Sequence, residues 1–168
     1  MTTNSPDETI ELGRRLGRLL GPGDVVALTG ELGAGKTCLT KGIALGLGVA
    51  DARAVRSPTF VLISEYSASP PDSIGTASQS QGRGRLTLYH VDAYRLHGPA
   101  DFEALGSAEI MTSGAVTVIE WADRVEGALP DERLWVECSH AGETRRTCRF
   151  SGAGKRYEDL VRRLSEKS

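Results

Sequence analysis

The stretch that most constrains this chain is Val25-Val26-Ala27-Leu28-Thr29-Gly30-Glu31-Leu32-Gly33-Ala34-Gly35-Lys36-Thr37. Its first five residues are nearly all apolar and read as a strand covered on both faces. Leu39, Ile43 and Leu47, further on, have the spacing of a helix. Between the two, residues 30–37 satisfy the phosphate-binding pattern G-x-x-x-x-G-K-S/T at every position. The glycines let the backbone curl so that successive N–H groups turn inward toward a polyphosphate, where a Cβ would block both the turn and the close approach. Lys36 then reaches the outer phosphates.

Magnitudes explain why such a loop needs all its parts together. Micromolar nucleotide binding requires about 8 kcal/mol, whereas a helix N-terminus supplies about 0.3–1 kcal/mol, or about 2 when partly buried. Charge-assisted hydrogen bonds of about 1.5–3 kcal/mol each close the gap, with a magnesium ion held between the Thr37 hydroxyl and phosphate oxygens.

Composition narrows the remaining choices. At 168 residues and 39% hydrophobic, the chain fits one domain, residues 1–168, with a sizeable core. A net charge of −2 and 5% aromatic residues argue against a broad basic surface that grips nucleic acid. RNA, if involved, is expected on a partner. Cys38, Cys138 and Cys148 form no C-x-x-C pair, so neither a zinc site nor a disulfide framework is indicated. Reduced thiols fit a cytoplasmic protein, and no leader-like or membrane-spanning stretch is visible.

Along the chain, Ser5 reads as an N-cap with Pro6 in the first helical turn, and Gly21-Pro22-Gly23 as that helix's end. A strand is expected over 59–66, then a flexible surface insertion over 67–85, rich in Ser, Pro, Gly and Gln. Strands at 86–92 and 116–121, a helix over 101–111, an antiparallel hairpin of 134–138 with 144–150, and a helix carrying Tyr157, Leu160, Val161 and Leu164 complete the reading. The fold class expected is α/β: a P-loop NTPase fold with a mainly parallel central sheet flanked by helices and a C-terminal antiparallel hairpin.

Two acids stand at strand ends. Parallel α/β sheets bind ligands at the carboxyl ends of their strands, so Asp92 and Glu120 are both candidates to face the nucleotide. Glu120 follows β-prone residues, the pattern that places an acid near Mg²⁺ or its water shell. Asp92 is suited to hold a metal-bound water or to orient the attacking one. His90 shares a strand face with Asp92, as a tuning partner for that acid or as a plain structural histidine. Trp121 fits either core packing or base stacking, and Arg95 could pair with phosphate or with an acid. Ser57-Pro58-Thr59 offers hydroxyls for phosphate or metal, or simply a turn. The guanine-reading Asn-Lys-x-Asp element is absent, Asn4 being the sole asparagine; ATP is therefore preferred over GTP.

Taken together, residues 30–37, the 55–60 stretch, His90-Val91-Asp92-Ala93-Tyr94-Arg95-Leu96 and Ile119-Glu120-Trp121 resemble the TsaE/YjeE family of bacterial P-loop ATPases, which serve threonylcarbamoyladenosine synthesis in tRNA. The resemblance implies an ATPase, slow alone, working with a TsaB–TsaD heterodimer and touching tRNA only through that complex, with no membrane role. It implies Mg²⁺ at Thr37 and Glu120, hydrolysis dependent on Asp92 and Lys36, and a switch-like Ser57-Pro58-Thr59. ATP contacts would come from Gly30, Glu31, Leu32, Gly33, Ala34, Gly35, Lys36, Thr37 and Cys38, with Trp121 near the nucleotide and Thr9 on the adenine side. Cys38 departs from the hydroxyl residue common after the loop, and the 67–85 segment is longer than the usual connection. Two rivals stay open: a small-molecule kinase, for which the insertion supplies only Arg83 and Arg85 as lid arginines, and a nucleotide-gated binding module without significant catalysis.

Overall fold

The computed structural model describes residues 1–51, 54–69 and 86–166. After a short strand β1 (Thr2–Thr3), the Ser5 side chain accepts the Glu8 amide at 3.1 Å and opens α1 (Pro6–Gly17). The buried strand β2 (Val25–Thr29) leads through the glycine loop into α2 (Lys36–Leu47), which ends on a left-handed Gly48. Next come β3 (Ile63–Ala68), β4 (Leu86–Asp92), the short helices α3 (Pro99–Ala104) and α4 (Ser107–Thr112), and β5 (Val116–Glu120). The hairpin β6 (Arg133–His140) and β7 (Arg146–Ala153) precedes α5 (Lys155–Glu166).

The sheet order is β1-β7-β6-β2-β5-β4-β3. Its centre, β6-β2-β5-β4, is parallel, whereas β1–β7, β7–β6 and β4–β3 pair antiparallel. The expected α/β class, with a parallel centre and a C-terminal hairpin, is what the chain forms, as a seven-stranded mixed sheet. Register matters most at the strand ends. Leu28 lies opposite Glu120, and Glu120 opposite Asp92, so the start of the glycine loop and both acids sit on one rim of the sheet.

One face of the sheet packs on α1, α2 and α5 through residues such as Leu16, Leu39, Leu88, Leu134 and Leu160, and the other, through Val25, Ala27 and Ile119, packs on Phe102, Ala122 and Val125. The second cluster sits beneath α3 and the 3₁₀ segment Ala122–Ala128. Helices α1 and α2 approach so closely that a Cβ on Gly42 would lie 2.0 Å from the Ile10 carbonyl oxygen and one on Gly13 2.2 Å from that of Leu39. Burial of α5 pins the start of β2: the Val25 amide donates to the Tyr157 hydroxyl at 2.9 Å, and Arg156 pairs with the buried Asp24 at 2.6 Å.

Several expected boundaries move. Helix α1 stops at Gly17, short of Gly21-Pro22-Gly23, with Leu19 and Leu20 in a turn whose amides both reach the Leu16 carbonyl. The strand expected from residue 59 starts at Ile63, because the Leu62 amide bonds back to Pro58 and Leu62 takes a φ of 65°. It then runs on through Ser67 and Ala68, which pair with Thr87 and Leu86, so the first residues assigned to the insertion are strand. Residues 70–85 of that expected insertion lie outside the described residues. The helix expected over 101–111 is two helices, broken where Gly106 takes a φ of 77°. All three cysteines are free thiols, and Cys138 and Cys148 face each other across the hairpin with sulfurs 3.9 Å apart. Among the described residues no helix is long and apolar enough to cross a membrane.

Candidate nucleotide site

The loop curls because its glycines adopt backbone angles closed to other residues. Gly30 has a φ of 131°, and a Cβ there would lie 2.1 Å from the Cys138 carbonyl oxygen, so β6 leaves room only for glycine. Gly33 and Gly35 follow at φ 76° and 99°. Lys36, the first residue of α2, folds back over this curl, its Nζ donating to the carbonyls of Gly30 at 2.5 Å and Glu31 at 2.9 Å. Burial pushes the Lys36 ammonium below the usual lysine range, while the Glu120 carboxylate acts in the opposite sense.

The rim brings the two acids beside the loop and gives each its own set of donors. Glu120, 2% exposed, accepts the Thr37 hydroxyl on Oε2 at 3.0 Å. Its Oε1 lies 2.8 Å from His90 Nε2 and 3.4 Å from Thr40 Oγ1. Asp92, 3% exposed, accepts on Oδ2 from the hydroxyls of Ser57 and Thr59. On Oδ1 it accepts the Tyr94 amide at 2.9 Å, capping the 3₁₀ turn Ala93–Arg95. The Ser57-Pro58-Thr59 segment is thus fastened to Asp92. Of the two readings of His90, the structure leaves aside the tuning of Asp92, because the ring turns to Glu120 instead.

Trp121 takes a left-handed conformation (φ 59°, ψ 39°) directly after β5, and strain of this kind costs about 1–3 kcal/mol. That turn lays its ring 3.8 Å from Lys36 Nζ and 5.0 Å from the Tyr94 ring. Arg95 stacks on Phe60 at 4.6 Å. Thr9 lies behind the loop, its methyl facing Gly35, while its hydroxyl is engaged with Thr3 at 2.7 Å and with the Ser5 carbonyl at 3.1 Å. Cys38 follows Thr37 in the first turn of α2 as a half-buried free thiol. At the loop's apex Leu32 is 84% exposed.

Three contributors escaped the sequence reading. Thr40 has a legible signal: it stands one helical turn beyond Thr37 and shares its face. His140 and Arg146 do not. They come from the β6–β7 hairpin and donate to the carbonyls of Leu32 at 3.1 Å and Gly33 at 3.0 Å, contacts between residues more than 100 positions apart.

A buried parallel strand, a glycine curl closed by a lysine at a helix N-terminus, and acids on the adjoining strand ends together define a P-loop nucleotide-binding protein. The family model described as threonylcarbamoyl adenosine biosynthesis protein TsaE matches residues 3–148. The TsaE protein of Bacillus subtilis is 40% identical over 97% of this chain and 91% of its own length. That of Treponema pallidum is 43% identical over 77% and 82%, and that of Streptomyces coelicolor 42% identical over 88% and 92%. The crystal structure of Bacillus subtilis YdiB superposes with a TM-score of 0.74 at 35% identity, covering 99% of this chain and 93% of that one. The chain belongs to the TsaE family, whose members take part in tRNA threonylcarbamoyladenosine biosynthesis. The family match runs through the first strand of the hairpin and into β7, beyond the last motif recognised from the sequence.

Proposed function

We propose that this protein binds and hydrolyses ATP with Mg²⁺ as the cytoplasmic ATPase subunit of the threonylcarbamoyl-transfer machinery, acting with a TsaB–TsaD heterodimer and meeting tRNA only through that complex. The observation that carries the reading is the gathering of Lys36, Thr37, Glu120 and Asp92 on one rim of the sheet, with Thr37 and Glu120 in hydrogen-bond contact. A hydroxyl opposed to a carboxylate is a hard-oxygen donor pair, and Mg²⁺ is commonly held by few protein oxygens together with substrate phosphates and water. The donors fit the ion, and Thr37 and Glu120 are the residues that would hold it.

When bound with ATP, the ion neutralises charge on the phosphate oxygens during transfer to water. The remaining work falls to the chain. The amides of residues 33–37 and the Lys36 ammonium grip the phosphates, Lys36 giving up the carbonyls of Gly30 and Glu31 to do so. Asp92 orients the water that attacks, and Ser57 and Thr59, tied to the same carboxylate, couple the segment before β3 to that step.

Intrinsic turnover is slow in this account, because a trans-acting group of the arginine-finger type can contribute about 10³–10⁵ in rate. Steady-state ATP hydrolysis, measured with and without TsaB–TsaD, tests it. Stimulation by the partners is expected; equal and fast rates in both conditions would contradict it.

A further inference from the structure

We propose that His90 is the positioning residue of Glu120: it occupies one carboxylate oxygen so that only the other, the one facing Thr37, is presented to a metal. The proposal rests on the reading of Glu120 as a magnesium ligand. His90 is fully buried on β4, one strand over from β5, and its side chain lies on the face that packs toward α2. His90 Nε2 lies 2.8 Å from Glu120 Oε1, and in the tautomer with its proton on Nε2 the ring donates to that oxygen. The Nδ1 atom has no hydrogen-bond partner among the described residues. The ring therefore has one polar engagement there, and it is this one.

The two oxygens of Glu120 consequently differ. Oε1 is covered by His90 and by Thr40, whose hydroxyl is shared with the Lys36 carbonyl at 3.0 Å. Among the described residues Oε2 meets only Thr37 and keeps accepting capacity on the loop side. A carboxylate harnessed at one oxygen binds a metal through the other, in a fixed orientation; without the harness the side chain can rotate and present either. Outer-shell partners of metal ligands commonly govern affinity by about 10–100-fold.

The test compares two amides in the full chain. A Gln side chain carries its NH₂ to about the place of a histidine Nε2, whereas Asn stops near Nδ1. Calorimetric titration of ATP at graded Mg²⁺ should show His90→Gln needing nearly the wild-type Mg²⁺ concentration for half-maximal tightening, and His90→Asn needing about 10–100 times more. ATP affinity in excess chelator should stay unchanged in both. Thermal melts establish that each variant is folded; should His90→Asn be unfolded, the His90→Gln titration decides alone, wild-type behaviour supporting the role and impairment overturning it. A His90→Asn protein that titrates like wild type while Glu120→Gln loses Mg²⁺ dependence removes His90 from the role and leaves Glu120 in place. Mg²⁺ dependence that survives Glu120→Gln instead overturns the underlying assignment of the ligand.

Discussion

The ammonium of Lys36 lies 3.8 Å from the centre of the Trp121 ring, so the cation of the glycine loop and the one strained aromatic residue of the site are in direct contact. A cation–π contact is worth about 0.5–2 kcal/mol depending on solvation, and it dissolves if Lys36 leaves the loop carbonyls for phosphate. Nucleotide binding should therefore change the emission of Trp121. The chain's other tryptophan, Trp135, stacks with Arg133 on β6 and pairs with Ala27 in the middle of β2. We expect Trp121→Phe to abolish most of the ATP-induced fluorescence change and Trp135→Phe to preserve it. A full signal from the Trp121→Phe protein would contradict this arrangement.

Removing the hydroxyl of Thr37 deletes the 3.0 Å bond to Glu120 and, on the proposed function, a metal donor as well. Thr37→Ala should reduce the Mg²⁺-dependent tightening of ATP binding about tenfold or more, the equivalent of about 1.4 kcal/mol, with little change in chelator. Lys36→Ala should instead weaken triphosphate binding whether or not Mg²⁺ is present. A Thr37→Ala protein with wild-type Mg²⁺ dependence in the same titration would refute the assignment.

Gly42 tests the scaffold rather than the chemistry. Alanine favours a helix by about 1 kcal/mol over glycine, but its Cβ would stand 2.0 Å from the Ile10 carbonyl oxygen, a backbone atom that cannot swing aside. Overpacking costs about 1–3 kcal/mol and here forces α1 and α2 apart. Gly42→Ala should lower the midpoint of thermal unfolding by roughly 2–8 °C, followed by circular dichroism. An unchanged or higher midpoint would mean that the helices do not cross this closely.

How much of this could be read beforehand follows from the range of each interaction. The loop, β2, β4, β5 and the two strand-end acids are local patterns of period and composition, and they stand where the sequence places them. Ser5 as a cap and Pro6 behind it are equally local. The break at Gly106 and the late start of β3 depend on single left-handed residues, and Leu62 carries no composition signal for one. The close helix crossing was legible in principle, since Gly13-x-x-x-Gly17 and Gly42-x-x-x-Gly46 repeat the same spacing on both helices. The partnership of His90 with Glu120 was not, because it follows from which strands become neighbours. The hold of His140 and Arg146 on the loop likewise needs the hairpin to return beside β2.

On the proposed function, a triphosphate held by the loop is hydrolysed through Asp92. Asp92→Asn keeps Oδ1 as the acceptor of the Tyr94 amide and turns an NH₂ donor toward the hydroxyls of Ser57 and Thr59, which accept in place of donating, while the charge is removed. The decisive measurement is ATP affinity and steady-state turnover of this variant beside wild type, both in the presence of TsaB–TsaD. We expect affinity within a few-fold of wild type and turnover reduced by about 10²–10⁴. Turnover at the wild-type rate would contradict the account.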